Sequence, residues 1–175
     1  MPIDFFKSGC KKTSIKKEFG LCDNPDPAKD PAYIDEFNDV NWIAQVTNQN
    51  GNSVDFFAID HCIEIRRSNI EMAKHCDGML SYESNIVFVE LKNRGSSGWL
   101  SDGRKQLTET ISFFKDNHNI TTYKLKEAYV CNKQRPLAVT NISSEVQKFK
   151  DETAVILKNK GILGKSGHID HLLPI

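Results

Sequence analysis

The chain has 175 residues, 39% of them hydrophobic and 26% charged, and its 23 basic and 23 acidic residues give a formal net charge of zero. This length favours a single domain, residues 1–175, with enough apolar content for a core. A neutral chain has no global field that attracts phosphate. Any contact with nucleic acid therefore has to come from local basic clusters.

The cysteines and the start of the chain bear on its compartment. Five cysteines without a CxxC pair argue against a disulfide framework and against a zinc ribbon. Cys62, Cys76 and Cys131 are then expected to be small buried apolar residues. The first residues have no basic start followed by an apolar core, and no apolar run is long enough to cross a bilayer. We expect a cytoplasmic protein with no membrane partner.

Residues 1–40 are interpreted as an N-terminal extension that packs on the core, since prolines between residues 22 and 31 interrupt any regular element. From residue 41 the pattern changes. Strands are predicted at 42–47 and 53–59, and Asn50-Gly51 between them is a strong signal for a tight turn. The prediction is an N-terminal hairpin, with a helix over 54–65 as the alternative.

Residues 77–92 form the most informative stretch. Asp77-Gly78 opens a short apolar strand, and a second strand runs through an apolar segment to Glu90 and Lys92. Because side chains alternate along a strand, Glu90 and Lys92 point to one face, opposite to Val87, Val89 and Leu91. If the turn is centred between Glu83 and Ser84, Asp77 lies directly across from Glu90, with Cβ atoms roughly 5 Å apart.

Two carboxylates this close repel unless a positive charge lies between them. A divalent cation bridging Asp77 and Glu90 would remove the conflict, and hard oxygen ligands suit Mg²⁺ or Mn²⁺. The sequence therefore predicts a metal site at the end of this hairpin.

The rest of the chain alternates between helices and strands. A helix is predicted over 99–117, where Leu107, Ile111 and Phe114 form an apolar stripe. A strand over 125–131, a helix from 143 or 144 to 150 and a strand over 154–157 follow. This order favours an α/β (α+β) fold with a mixed central β-sheet flanked by helices.

The paired acid and the Glu90-Leu91-Lys92 tripeptide resemble the motif of the PD-(D/E)XK nuclease superfamily, which includes many restriction endonucleases. Cys76 stands where the motif usually has proline. The resemblance implies a restriction-endonuclease-like core, about 54–158. It also implies a metal held by Asp77, Glu90 and the Leu91 carbonyl, with Lys92 positioning or activating the attacking water.

The same resemblance extends to neighbouring residues. Gln106, early in the predicted helix, would orient the water or Lys92. An extra upstream acid is common in the family, and Glu64 is the candidate, with Asp60 and Glu71 left open. Arg94, Arg104 and Lys105 are candidate phosphate contacts.

The expected function is therefore an Mg²⁺- or Mn²⁺-dependent nuclease. DNA is favoured over RNA as its partner, and a homodimer fits nucleases that cut both strands. The alternative is a catalytically inactive module of the same fold that binds nucleic acid or a protein.

Overall fold

A computed structural model describes residues 2–25, 27–67, 71–134, 143–158 and 167–170. Ten strands, two α-helices and three short 3-10 helices lie within these ranges. The strands are β1 (Lys11–Ser14), β2 (Glu18–Cys22), β3 (Tyr33–Asp35), β4 (Ala44–Thr47), β5 (Val54–Ala58), β6 (Gly78–Tyr82), β7 (Asn85–Lys92), β8 (Leu125–Asn132), β9 (Ile156–Lys158) and β10 (Gly167–Asp170). The α-helices are α1 (Trp99–Asn117) and α2 (Ser143–Thr153).

The main sheet has six strands in the order β1-β5-β6-β7-β8-β9. Pairing is antiparallel from β1 to β7 and parallel from β7 to β9. Each parallel step needs a crossover, and the two helices follow β7 and β8 in the chain to provide it. The sheet is therefore mixed, which confirms the predicted α/β class.

The two faces of the main sheet are covered differently. Ile86 and Phe88 of β7 belong to one apolar core together with residues of α1 and α2. Val87, Val89 and Leu91 belong to a second core that includes residues of β2 and β4. The covering layer on this face is the smaller sheet, in the order β10-β4-β2-β3. The helices thus cover one face only, and β7 is apolar from Ile86 to Val89 because both of its faces are buried there.

The core hairpin has the register that a turn between Glu83 and Ser84 gives. Gly78 pairs with Val89, and Tyr82 pairs with Asn85 across a two-residue turn. Glu83 has a φ of 49°, in the left-handed region. A residue other than glycine or asparagine is unusual there. We attribute the fixed register to the buried alternation of β6 and β7, since a slip of one residue would exchange their two faces.

The predicted N-terminal hairpin is wrong in its pairing. β4 and β5 are both strands, but β4 pairs with β2 and β10, whereas β5 pairs with β1 and β6. The six residues between them, 48–53, carry the chain from one sheet to the other. The Asn48 side chain donates to the carbonyls of Lys16 (3.1 Å) and Asn52 (2.8 Å), so it replaces the missing hairpin bonds.

The N-terminal extension contributes to both sheets. It supplies β1 to one edge of the main sheet, and it supplies β2 and β3 to the smaller sheet. Phe5 is fully buried and packs edge-to-face on Phe114 of α1, with ring centroids 5.2 Å apart. Residues 1–40 therefore build part of each core.

Cys10 and Cys62 form a disulfide across a sequence separation of 52 residues. The expectation that Cys62 is a small unpaired apolar residue is wrong, because an odd cysteine count does not exclude a single bridge. Cys76 and Cys131 are buried and free, as predicted. Disulfides persist in oxidising environments, so a cytoplasmic location stays a prediction. No helix in the described ranges has the length and apolar character that crossing a membrane requires.

Candidate functional site

Charged and polar side chains meet where β7 ends beneath α1. Glu90 is 1% exposed and forms an ion pair with Lys92, two residues further along the same face. The Lys92 ammonium also donates to Oε1 of Gln106 on α1, at 2.8 Å. The predicted arrangement of Glu90, Lys92 and Gln106 is therefore present, and Gln106 contacts the lysine directly.

Asp77 completes the group from the strand opposite. It lies one residue before β6, where the hairpin register places it across from Glu90. Its Oδ2 accepts a hydrogen bond of 2.5 Å from the main-chain N–H of Leu91, and the residue is only 7% exposed. Its own carbonyl accepts from Ile59 N–H at 2.9 Å. The peptide of Leu91 and both acids are thus held together.

Glycine 103 lets α1 approach this group closely. A Cβ atom at Gly103 would lie 2.7 Å from Val130 Cγ1 and 3.1 Å from Glu90 Cγ. The first distance is too short for a side chain without displacing the helix or β8. The absence of a side chain at Gly103 therefore allows the helix to bury Glu90.

Burial dominates the electrostatics of the two acids. Burial raises the pKa of Glu90 to about 7, although Lys92 and the main-chain N–H of Asp77 lower it. Burial and the adjacent Glu90 raise the pKa of Asp77 well above its ordinary value, against the Leu91 hydrogen bond. Each acid therefore resists ionisation in the absence of a cation.

This shift predicts a pH-dependent stability in metal-free buffer. Because the folded state keeps the Glu90 proton up to a pH of about 7, it binds more protons than the unfolded state above the ordinary glutamate pKa. Its stabilisation by that proton is then lost as the pH rises towards 7. The Glu90→Gln variant is expected to have the same free energy of unfolding as wild type at pH 5. At pH 8 its free energy of unfolding is expected to be about 3 kcal/mol higher than that of wild type.

Chemical denaturation in EDTA at the two pH values measures this difference. Using the difference between variant and wild type cancels the titration of groups that do not interact with Glu90. If the difference in free energy of unfolding between variant and wild type is the same at pH 5 and pH 8, the raised pKa of Glu90 is contradicted.

Two further polar residues, His75 and Asp60, support Gln106. The Gln106 amide donates to the carbonyl of His75 at 3.1 Å. The His75 ring is buried, and its Nδ1 lies 3.2 Å from Asp60 Oδ1. Burial opposes ionisation of Asp60, but the neighbouring His75 and His61, including a hydrogen bond from His61 N–H, outweigh burial, so the pKa of Asp60 is lowered. Asp60 is among the charges that raise the pKa of Glu90.

Of the three upstream acids considered, Asp60 is thus the one associated with the site. Glu64, the leading candidate, is 63% exposed and paired with Arg66, and Glu71 is 69% exposed beside Arg67. The sequence did not identify Asp60 because its position depends on the pairing of β5 with β6. Ala58 pairs with Gly78, so the residues just after β5 lie beside those just before β6. His75 had no sequence signal.

The three candidate phosphate contacts have different surroundings. Arg94 forms an ion pair with Asp102, and both side chains are largely exposed. Arg104 is mostly buried, and its Nη1 lies 3.9 Å from Glu152 of α2. Lys105 is exposed on α1. Arg104 therefore faces α2, whereas Arg94 follows Lys92 at the end of β7.

The donor set fits a hard divalent cation. Glu90 Oε2 is buried and has no hydrogen-bond partner, although a buried carboxylate oxygen normally has one. No group of three or more His, Cys, Asp or Glu side chains suited to a metal occurs in the described part of the chain. Magnesium commonly uses only one or two carboxylates, together with water and substrate phosphate. Asp77 and Glu90 provide the two carboxylates that such a magnesium site needs.

Comparisons of the chain with protein-family models, with curated proteins and with solved structures gave no significant match.

Proposed function

We propose that this protein is a divalent-metal-dependent nuclease of the PD-(D/E)XK type that hydrolyses phosphodiester bonds, with DNA as the favoured substrate. The observation that carries the proposal is the buried Glu90 beside Asp77. One of its oxygens has no hydrogen-bond partner, and its pKa is raised by burial. Two buried acids side by side are costly for a purely structural site, and a bound cation removes that cost.

Asp77 and Glu90 would hold Mg²⁺ or Mn²⁺ with their carboxylates, and Leu91 would contribute its main-chain carbonyl. Bound there, the cation lowers the pKa of a coordinated water and polarises a phosphate oxygen. The hydrogen bond from Leu91 N–H to Asp77 fixes the peptide between Glu90 and Leu91, the two neighbouring residues that would both bind the cation. The protein thus supplies a preformed set of oxygen donors at one end of β7.

Lys92 stabilises the charge that builds on the phosphate in the transition state. Its ammonium is held between the Glu90 carboxylate and the Gln106 amide oxygen, and Gln106 is in turn anchored to the His75 carbonyl. A cation fixed before the reaction needs little reorganisation when charge develops. Gln106, His75 and Asp60 are positioning residues in this scheme.

Incubation with nucleic acid tests the proposal. Plasmid, single-stranded DNA and RNA are each incubated with EDTA, Mg²⁺ or Mn²⁺, and the products are separated by electrophoresis. We expect metal-dependent cleavage by wild type and none by Glu90→Gln purified in parallel. Absence of cleavage of all three substrates with both metals, or full activity in Glu90→Gln, would remove the nuclease assignment.

A second function, a non-catalytic binding module of the same fold, is favoured by the zero net charge and by the pairing of Arg94 with Asp102. Thermal unfolding with Mn²⁺ distinguishes the two. A nuclease site is expected to be stabilised by about 2.7 kcal/mol when Mn²⁺ is at a hundred times its dissociation constant. Asp77→Asn is expected to lose this stabilisation. A melting temperature that Mn²⁺ does not change in wild type would favour the binding module.

A further inference from the structure

A cavity of about 260 Å³ adjoins the candidate site at the end of β7. Residues 92–94 form one wall, and residues 23–25 in the loop after β2 form the other. We propose that this cavity binds one unpaired nucleotide next to the phosphate at Lys92, so that the substrate is single-stranded nucleic acid. This inference rests on the proposed nuclease function and names its substrate class.

The wall that follows β7 is held in place by the end of β8. Asn132 donates to the Arg94 carbonyl at 2.8 Å and accepts from Arg94 N–H at 3.4 Å. Lys133 N–H donates to the Lys92 carbonyl at 2.9 Å. Lys92 therefore belongs both to the candidate site and to a fixed wall of the cavity, which makes the two spaces continuous.

The opposite wall, residues 23–25, is tied by hydrogen bonds to residues that follow it in the chain. The Asn24 amide donates to Asp30 Oδ2 at 3.3 Å, and Ala28 N–H donates to the Pro25 carbonyl at 3.2 Å. Since β2 belongs to the smaller sheet, this loop is attached to a different layer from β7. The cavity is thus a cleft between the two layers, which is a common location for ligand sites.

The lining matches the parts of a nucleotide. Lys92 and Arg94 provide cations suited to a phosphate group. Asn24 and Asn93 carry amides that can donate to and accept from base edges, and Pro25 gives an apolar surface for a base. Asp23 on the far wall can accept from an amino group of a base but repels phosphate. The charges therefore orient a nucleotide with its phosphate towards Lys92.

The size of the cavity favours an unpaired nucleotide. Pockets for drug-sized ligands span roughly 300–1,000 Å³, so a cavity of about 260 Å³ has room for one nucleotide at most. In a duplex the bases present only their edges in the grooves. A base can enter a narrow cleft only if it is single-stranded or rotated out of the stack.

Equilibrium binding tests the inference. Asp77→Asn in EDTA prevents cleavage, and fluorescence anisotropy is measured with a labelled single-stranded oligonucleotide and with a blunt hairpin duplex. We expect the single strand to bind at least about tenfold more tightly than the duplex. Adding Asn93→Phe, which fills the cavity from an exposed position, is expected to weaken single-strand binding by about tenfold without changing duplex binding.

Asn50→Phe is the matched control. Asn50 is exposed in the connection between β4 and β5, where its neighbour Asn52 lies 3.5 Å from Glu83, at the other end of β7 from Lys92. It is expected to leave single-strand affinity unchanged. Thermal unfolding confirms that each variant is folded, and Asn24→Phe repeats the block from the opposite wall.

Equal binding of single strand and duplex would overturn the inference, and so would single-strand binding that neither cavity-filling variant weakens. If wild type still cleaves nucleic acid with metal in that case, the proposed nuclease function stands without the cavity inference. Single-strand preference that both filling variants remove, without any metal-dependent cleavage, would support the cavity assignment and remove the nuclease.

Discussion

Lys92→Met is expected to lower phosphodiester cleavage by about 10²–10³-fold, the usual cost of losing one preorganised donor to a developing charge. Methionine keeps most of the apolar stem but removes the ammonium that lies between Glu90 and Gln106. Single-turnover cleavage at saturating Mn²⁺ measures the effect. Because the carboxylates remain, Mn²⁺ is expected to stabilise this variant against thermal unfolding.

The comparison with Asp77→Asn separates chemistry from metal binding. Asp77→Asn is expected to lose both cleavage and stabilisation by Mn²⁺, whereas Lys92→Met loses cleavage alone. Lys115→Met, an exposed position further along α1, controls for removal of a lysine and is expected to keep full activity. Wild-type cleavage by Lys92→Met would contradict the role assigned to this residue.

Removing the Cys10–Cys62 disulfide is expected to lower the free energy of unfolding by about 4 kcal/mol, given the 52-residue separation it closes. In the chain-entropy account the bond restricts the unfolded chain, so a longer closed loop gives a larger effect. Cys62 is two residues from Asp60, so the bond also anchors the segment that supports His75. Denaturant titration of the oxidised wild type and of Cys10→Ser/Cys62→Ser measures the difference.

Dithiothreitol provides the control for this experiment. It is expected to lower the stability of wild type to that of the double variant and to leave the double variant unchanged. Equal stability of oxidised wild type and double variant would show that the bond contributes nothing to the free energy of unfolding.

Local patterns in the sequence predicted the parts of the fold that depend on neighbouring residues. The hairpin register followed from a turn assumed between Glu83 and Ser84, and β6 and β7 pair in that register. The stripe containing Leu107, Ile111 and Phe114 predicted α1 with the bounds that the structure has. The restriction-endonuclease-like detail and the nuclease activity stay predictions.

Features that depend on distant pairing were not predictable in the same way. Asn50-Gly51 indicates a change of direction but does not say which strands pair afterwards, and here the two flanking strands join different sheets. Asp60 and His75 meet because β5 pairs with β6 across a long connection. The Cys10–Cys62 bond likewise joins segments that only the tertiary structure brings together.

The outer strands of the main sheet come from opposite parts of the chain, β1 from residues 11–14 and β9 from residues 156–158. On the ribosome, β1 must wait for β5, and β8 has no outer neighbour until α2 and β9 have been synthesised. Such non-local order slows folding and leaves strand edges open to other chains in the meantime. Deleting the segment before Glu18 would make one of these open edges permanent, so we expect truncated forms to aggregate.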